Sequence, residues 1–223
     1  MKQDIKNMKA AIFDMDGTLV NTLVLWNVMW DGFGKKYMGI DGFRPDAAFD
    51  RELRTMTLID AMERIHERFG IGADKHELHR DAQAMCIDYY ENRVEMKPGA
   101  REFLDDLLER GIPMVLASAT DPVLIRAGLR HCGMEKYFTA VLSCADIGKG
   151  KEEPDIFLLA LEKLGTSAEQ TWMFEDSVVA LQTAKSIGMP AVGIYDQYNY
   201  GHDELERLAD IYIGPGHTLA ELI

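Results

Sequence analysis

The stretch Lys9-Ala10-Ala11-Ile12-Phe13-Asp14-Met15-Asp16-Gly17-Thr18 decides how the rest of the chain is interpreted. A short apolar run, typical of a buried strand, leads directly into two aspartates that flank a single residue. Gly17 then allows the backbone to turn sharply and to approach a ligand. The sequence therefore predicts a polar loop at the carboxyl end of a first, buried strand.

Short apolar runs recur later in the chain and predict five further strands. They lie near residues 112–117, 140–143, 171–174, 191–195 and 210–213. Because these runs are continuously apolar, we expect the strands to be buried on both faces. Amphipathic segments with helix-boundary residues separate these strands. They lie near 99–110, 154–164 and 177–187, and a further one begins at 121. This alternation predicts an α/β fold with a Rossmann-like parallel sheet and helices on both faces.

Residues between the first two strands break the alternation and show helical patterns instead. The patterns lie near 23–37, 49–69 and 75–94, and Asp74 and Glu77 resemble a capping box at the start of the third. We therefore predict two domains. Residues 1–21 and 97–223 form the α/β core, and residues 22–96 form a helical cap domain inserted after the first strand.

Composition narrows the class of protein. The chain has 223 residues, 47% of them hydrophobic, which is enough to bury a substantial core. Its formal net charge of −13 would repel nucleic acid and anionic membranes, so neither is expected as a partner. No apolar run approaches the roughly 20 residues that cross a bilayer, and no signal-peptide pattern is present. The cytoplasm is the expected location, where the three widely spaced cysteines would remain reduced.

Polar residues follow four of the predicted strands. Asp14-Met15-Asp16-Gly17-Thr18 follows the first, Ser118-Ala119-Thr120 the second, Gly148-Lys149-Gly150-Lys151 the third and Glu175-Asp176-Ser177 the fourth. In open α/β sheets, ligands bind beyond the carboxyl ends of the strands. We therefore expect these residues to converge on one edge of the sheet.

The converging residue types suit a cation and an anionic group. Asp14, Asp16 and Asp176 are predicted to hold a hard divalent cation, most simply Mg²⁺, because adjacent carboxylates are costly without one. Glu175 could act on the cation through a water. Ser118 and Lys151 could bind phosphoryl oxygens, with Lys149 as a competitor. Each residue also has a structural reading, as a helix cap, a turn or an exposed lysine.

Four motifs together make the chain resemble the haloacid dehalogenase superfamily of hydrolases, in its capped phosphatase and beta-phosphoglucomutase-like branch. The first is Asp14-Met15-Asp16-Gly17-Thr18 and the second is Ser118. The third is Lys151 with Pro154-Asp155-Ile156-Phe157, and the fourth is Phe174-Glu175-Asp176-Ser177. The helical insert is similar to the cap that many members of this family carry at the same position.

The resemblance implies a role for each residue. Asp14 would attack phosphorus and become an aspartyl phosphate, and Asp16 would protonate the leaving oxygen and later activate water. The metal would be held by Asp14, by the backbone carbonyl of Asp16 and by Asp176. Thr18, Ser118, Ala119 and Lys151 would bind the phosphoryl group. The implied activity is Mg²⁺-dependent hydrolysis of a small phosphate monoester, such as a sugar phosphate.

Two alternatives stay open beside the phosphatase interpretation. One is a beta-phosphoglucomutase-like isomerase, whose family members typically have a histidine where this chain has Trp26. Their arginine- and serine-containing loop has only a loose counterpart in Arg51, Arg54 and Thr55. The other is a non-catalytic protein on the same scaffold. Asn21, Trp26 and Arg54 are the predicted substrate or cap residues, and the expected state is a monomer or a weak homo-oligomer.

Overall fold

The chain is described by a computed structural model covering residues 5–54 and 56–223. It divides into two compact units, one formed by the segments up to Leu23 and from Val94 to Ile223, and the other by Val24–Arg93. Thr55, which was grouped with Arg51 and Arg54 in the sequence, lies outside the described residues. None of the helices in the described ranges is both long enough and apolar enough to cross a membrane.

A parallel sheet of six strands forms the centre of the first unit in the described part of the chain. The strands are β1 (Ala10–Phe13), β2 (Met114–Ser118), β3 (Phe138–Ser143), β4 (Thr171–Glu175), β5 (Ala191–Ile194) and β6 (Ile211–Ile213). Their order is β3-β2-β1-β4-β5-β6. Phe13 pairs in register with Leu116 of β2 and Phe174 of β4, so neighbouring strands reach their carboxyl ends together. The predicted Rossmann-like α/β fold is confirmed.

The second unit is helical. Its helices are α1 (Leu25–Phe33), α2 (Ala47–Leu53), α3 (Leu58–Phe69) and α4 (Lys75–Asn92), and α1 continues into a π-helical turn at Gly34–Met38. Contacts among aromatic rings, with Trp30 buried at their centre, hold the unit together. The ring of Trp30 lies 6.4 Å from that of Phe33, 6.0 Å from that of Phe43 and 6.2 Å from that of Phe69. The apolar surface of α1 therefore packs largely within its own unit.

The single helix predicted near residues 49–69 is wrong, because two helices occupy this segment. Thr57 has extended backbone angles and its hydroxyl accepts a hydrogen bond from the Asp60 N–H, so it starts α3 as an N-cap. The predicted capping box at α4 is half correct. Asp74 accepts from the Glu77 N–H at 2.8 Å, whereas the Glu77 carboxylate accepts from Ala73 rather than from Asp74.

The core unit also contains helices that pack on the sheet. They are α5 (Ala100–Glu109), α6 (Pro122–His131), α7 (Cys144–Ile147), α8 (Asp155–Leu164), α9 (Val178–Ser186) and α10 (His202–Leu208). Asp121 caps α6 as predicted, by accepting from the Val123 N–H at 2.7 Å. Ser177 occupies the N-cap position of α9, but its side chain makes no capping hydrogen bond.

The expectation that every strand is buried on both faces holds only for the inner strands. All residues of β1, β2, β4 and β5 are buried. In β3, exposed and partly buried residues alternate until Ser143, and in β6 only Ile213 is buried. The reason is position, because β3 and β6 are the two edge strands and lack a neighbour on one side.

Three phenylalanines fix the inner strands against α5. The rings of Phe13 and Phe174, on adjacent strands, stack with centroids 4.3 Å apart. The ring of Phe103, from α5, lies 6.2 Å from the ring of Phe13 and 5.3 Å from that of Phe174. All three side chains are fully buried. This aromatic cluster lies directly beneath the residues that follow β1 and β4.

We predict that Phe103→Ala destabilises the protein by about 3–5 kcal/mol, because the truncation leaves a cavity beside the two stacked rings. The matched control is Leu108→Ala on the same helix, since Leu108 is 44% exposed. The control should change stability by only about 0.5 kcal/mol. Urea unfolding followed by circular dichroism measures both effects, and equal losses in the two variants would contradict the packing described here.

Candidate active site

The strand register brings the polar loops of the core unit to one edge. Asp14 follows β1 directly, and its N–H donates to the Phe174 carbonyl at 3.0 Å, which extends the β1–β4 ladder by one residue. Asp176 follows β4, and Ser118 is the last residue of β2. Because β1 lies between β2 and β4, the first aspartate loop is flanked by the loops of both neighbours. The predicted convergence of these three strand ends is therefore observed.

Three buried carboxylates form a cluster at this edge. Asp14, Glu175 and Asp176 each place one carboxylate oxygen within 4.8 Å of the others. Burial raises the pKa of Asp14 to about 8, and the charges of Glu175 and Asp16 add to this, against the opposing effect of Lys151. Burial also raises the pKa of Asp176 well above its ordinary value, and the charges of Glu175 and Asp14 add to it. Burial therefore makes both carboxyl groups harder to ionise than they would be in water.

The donor chemistry of this cluster fits a hard divalent cation. Its potential ligands are carboxylate oxygens, which Mg²⁺ and Ca²⁺ prefer, and the described residues contribute no thiolate or imidazole to it. A divalent charge would also offset the repulsion among the buried carboxylates. Two of the predicted ligands, Asp14 and Asp176, lie in the cluster. Glu175, which was predicted to act through a water, also has a carboxylate oxygen within 4.8 Å of theirs.

Lys151 supplies the positive charge that the structure places in this cluster. Its ammonium group donates to the Asp14 carboxylate and, at 2.8 Å, to Glu175 Oε2. Its side chain is only 9% exposed. Burial acts to lower the pKa of Lys151, but the two carboxylates outweigh it and hold the pKa above its ordinary value. The competing Lys149 is exposed and pairs with Asp155 at 2.8 Å instead.

Glu175 is tied to the backbone as well as to Lys151. Its Oε1 atom accepts hydrogen bonds from the N–H groups of Asp176 at 3.2 Å and Ser177 at 3.1 Å. These donors lie at the start of α9, where the helix dipole also favours negative charge. Glu175 therefore orients Lys151 and fixes the turn that carries Asp176.

Asp16 lies in a different setting, among hydroxyl groups. Its Oδ2 atom accepts from Thr120 Oγ1 at 2.7 Å and from Ser118 Oγ at 3.4 Å. Ser143 Oγ donates to the Thr120 carbonyl at 2.7 Å and so steadies the loop after β2. Thr120 belongs to the predicted strand-end motif Ser118-Ala119-Thr120, but no role was predicted for it. Its position two residues after Ser118 was the available signal.

A glycine is required at position 17 because the backbone there passes very close to the Asp176 carboxylate. The φ of Gly17 is +82°, and a Cβ added there would lie 2.3 Å from Asp176 Oδ2. The neighbouring Thr18 donates through its hydroxyl to Asp176 Oδ1 at 3.3 Å. The first loop therefore packs directly against the aspartate that follows β4. Thr18, predicted to bind phosphate, contacts this carboxylate in the structure.

Asn199 is a further residue that sequence reasoning did not assign. Its side-chain amide donates to Asp176 Oδ2 at 2.6 Å and to the Asp176 carbonyl at 2.9 Å. It lies in the loop formed by residues 195–201 between β5 and α10. The unusual polar and aromatic composition of this loop was the only signal in the sequence that it could border a site.

The remaining predicted residues lie as follows. Ala119 is exposed next to Ser118 at the end of β2. Asn21 is half-buried, and its N–H donates to the Glu95 carbonyl at 2.9 Å. Trp26 and Arg54 belong to the helical unit, where Arg54 donates to Asp50 Oδ2 at 2.8 Å and its guanidinium lies 5.8 Å from the Trp26 ring. Their contact with a substrate remains a prediction.

A sequence model described as haloacid dehalogenase-like hydrolase matches residues 8–188. The match spans the first strand, the helical unit and the four motifs. The chain therefore belongs to the haloacid dehalogenase-like hydrolase family, which confirms the resemblance inferred from those motifs and the prediction that the protein is an enzyme of this family.

Similar proteins include both phosphatases and a mutase. The phosphorylated carbohydrates phosphatase of Thermotoga maritima is 29% identical over 217 residues, covering 95% of this chain and 97% of the relative. The beta-phosphoglucomutase of Bacillus subtilis is 29% identical over 202 residues, covering 84% of this chain and 83% of the relative. A crystal structure of a provisionally assigned beta-phosphoglucomutase from Thermotoga maritima aligns with a TM-score of 0.81 at 26% identity, covering 96% of each chain.

We predict that Lys151→Met destabilises the metal-free protein by about 3–5 kcal/mol, because it leaves buried carboxylates without their cation. Lys149→Met is the matched control. Its ion pair with Asp155 is exposed, so the control should have little effect on stability. Urea unfolding in the presence of a chelator gives both values. A wild-type stability for Lys151→Met would show that the buried ion pair does not hold the cluster together.

Proposed function

We propose that the protein is a Mg²⁺-dependent phosphatase that hydrolyses a small phosphorylated carbohydrate or similar metabolite through an aspartyl-phosphate intermediate. The observation that carries this proposal is the different setting of two aspartates in one loop. Asp14 lies among buried charges beside Lys151, whereas Asp16 accepts hydrogen bonds from neutral hydroxyl groups. Two carboxyl groups in such unlike surroundings suit two different roles.

Asp14 is the nucleophile in this proposal. One carboxylate oxygen forms a bond to phosphorus as the bond from phosphorus to the leaving oxygen breaks. Lys151 holds the carboxylate and provides positive charge for the incoming phosphoryl oxygens. Asp14 and Asp176 would hold the cation, with Glu175 beside them. When bound, Mg²⁺ would supply the charge that allows an ionised Asp14 to approach an anionic phosphate.

Asp16 is the general acid and then the general base in this proposal. It gives a proton to the leaving oxygen of the substrate in the first step. In the second step it takes a proton from a water molecule, which attacks phosphorus, releases inorganic phosphate and restores Asp14. The hydroxyl groups of Thr120 and Ser118 donate to the Asp16 carboxyl and orient it. Ser118 and Ala119 are proposed to contact the phosphoryl oxygens, whereas the buried Thr18 hydroxyl donates to Asp176.

The class of substrate is supported by the comparisons. The relative from Thermotoga maritima that aligns over nearly the whole chain is a phosphatase of phosphorylated carbohydrates. The net charge of −13 agrees with a small ligand whose phosphate is recognised locally rather than by a general positive field. A phosphate-release screen over sugar phosphates, nucleotides and short phospho-acids would identify the substrate.

We predict that Asp14→Asn lowers kcat for phosphate release from p-nitrophenyl phosphate by at least about 1,000-fold, since the amide is a poor nucleophile. The matched control is Asp105→Asn on α5, which alters a carboxylate 44% exposed and paired with Lys136 and should keep wild-type kcat. Release of phosphate is measured with and without Mg²⁺. Full activity of Asp14→Asn would overturn the nucleophile assignment, and no turnover by the wild-type protein on a broad panel would favour a non-catalytic role.

A beta-phosphoglucomutase-like isomerase is the second candidate. The Bacillus subtilis beta-phosphoglucomutase is as similar in identity to this chain as the Thermotoga maritima phosphatase is. A mutase would return the phosphoryl group from Asp14 to another hydroxyl of the sugar instead of to water. The chemistry at Asp14 and Asp16 is shared by both candidates, so only the acceptor distinguishes them.

Incubation with a hexose 1-phosphate separates the two candidates. We expect free phosphate to accumulate in step with loss of the substrate, because water is the proposed acceptor. The reaction is followed by ³¹P nuclear magnetic resonance, which resolves free phosphate, the 1-phosphate and the 6-phosphate. Formation of the 6-phosphate isomer with little free phosphate would establish the mutase in place of the phosphatase.

A further inference from the structure

The loop formed by residues 195–201 contacts the acidic cluster through one side chain. Asn199 Nδ2 lies 2.6 Å from Asp176 Oδ2 and 2.9 Å from the Asp176 carbonyl oxygen. One amide group therefore holds both the side chain and the backbone of the same aspartate. Thr18 donates to the other carboxylate oxygen at 3.3 Å. Both oxygens of Asp176 thus have one hydrogen-bond donor, and each retains lone pairs for a cation.

The orientation of the Asn199 amide is determined by its neighbours. Its oxygen accepts a hydrogen bond from the Tyr200 N–H at 2.8 Å. The amide oxygen therefore points to the backbone and the NH₂ group points to Asp176. The reverse orientation would place two oxygens together at Asp176 and two donors together at Tyr200. The hydrogen-bond network thus selects donation to the carboxylate.

The loop that presents Asn199 is built around a buried aspartate. Asp196 Oδ2 pairs with the Lys97 ammonium at 2.9 Å, and both side chains are largely buried, at 5% and 12% exposed. Asp196 Oδ1 accepts from the Tyr198 N–H at 2.9 Å. Lys97 also donates to the Tyr195 carbonyl at 2.8 Å. These contacts fix the start of the loop.

The Asp196 carbonyl oxygen fixes the rest of the loop. It lies 3.1 Å from the Asn199 backbone nitrogen, which donates to it. It also lies 2.9 Å from His202 Nε2, at the first residue of α10. The Asn199 backbone N–H and the His202 ring therefore meet at one carbonyl oxygen, which fixes the turn from which the short Asn199 side chain reaches Asp176.

We propose that Asn199 is a positioning residue that orients Asp176 to bind the divalent cation. The inference rests on the proposed function, because it concerns the cation that the phosphatase would use. Asn199 does not contact the reacting phosphoryl group in this scheme and acts only through Asp176. Groups that orient the ligands of a metal commonly change metal affinity by about 10- to 100-fold when removed.

The test compares Asn199→Ala with Gln197→Ala, an exposed residue of the same loop. The melting temperature of each substrate-free protein is measured against Mg²⁺ concentration, since a ligand that binds only the folded state raises it. For Asn199→Ala we expect the Mg²⁺ concentration that produces a given rise in melting temperature to be about tenfold higher than for the wild type. The metal-free melting temperature should stay close to that of the wild type. Gln197→Ala should match the wild type in both measurements.

A second readout separates orientation of the metal ligand from general damage. Phosphate release by Asn199→Ala is measured over the same range of Mg²⁺. We expect kcat to recover most of its wild-type value at saturating Mg²⁺, whereas a merely structural defect would lower kcat at every concentration. If Asn199→Ala does not fold, Asn199→Ser takes its place, and its hydroxyl donor should give a smaller increase in the Mg²⁺ concentration needed for the same rise in melting temperature.

The outcomes distinguish this inference from the proposed function. The inference is overturned if Asn199→Ala needs no more Mg²⁺ than the wild type for the same rise in melting temperature, even if the wild-type protein is an active phosphatase. The inference is also overturned if Mg²⁺ does not stabilise the wild-type protein. If Mg²⁺ stabilisation depends on Asn199 but the wild type releases no phosphate from any substrate, the inference stands and the proposed function fails.

Discussion

Repulsion among buried carboxylates is the constraint on which the rest of the core unit depends. Asp14, Glu175 and Asp176 lie within 4.8 Å of one another, out of water, and Lys151 contacts two of them. In a flexible chain these carboxylates would move apart, because each one would then regain contact with water. The cluster persists here because strands, backbone N–H groups and a glycine hold its members in place. Burial raises the pKa values of Asp14 and Asp176, and the charges of the neighbouring carboxylates raise them further.

The rigidity that opposes this repulsion comes from the centre of the sheet. β1 is paired on both sides, and the Asp14 N–H continues the ladder to β4 beyond the last strand residue. Directly beneath, the stacked rings of Phe13 and Phe174 join the two strands that carry Asp14 and Asp176. The apolar packing of these strands therefore stabilises the polar loops above them. Gly17 completes the arrangement by letting the first loop approach Asp176 more closely than a Cβ would allow.

Features encoded by local sequence could be predicted, and features that depend on a residue's neighbours in space could not. The apolar run before Asp14, the Asp121-Pro122 helix start and the paired strand-end motifs are local patterns, and the structure contains the corresponding elements. The exposure of β3 depends on its place at the edge of the sheet, which its apolar sequence does not reveal. The sequence predicted one helix instead of α2 and α3, because the apolar residues on either side of Thr57 fit a single helical pattern. The role of the Thr57 hydroxyl as an N-cap was therefore not predicted.

The same distinction explains why the orienting partners in the site were harder to predict than the charged residues. Asp14 and Asp176 occur in short motifs at strand ends, where the fold brings them to one edge. Lys151 was predicted to follow the third strand directly, but α7 lies between them, and the loop after that helix brings Lys151 to the same edge. Thr120 and Asn199 carry no charge and act only through the aspartates they contact. Asn199 is 23 residues from Asp176 along the chain, and its contact requires the 195–201 loop to be held by the buried Lys97–Asp196 pair. The charged motif alone specifies which groups are present, whereas this more distant part of the chain determines how one of them is held.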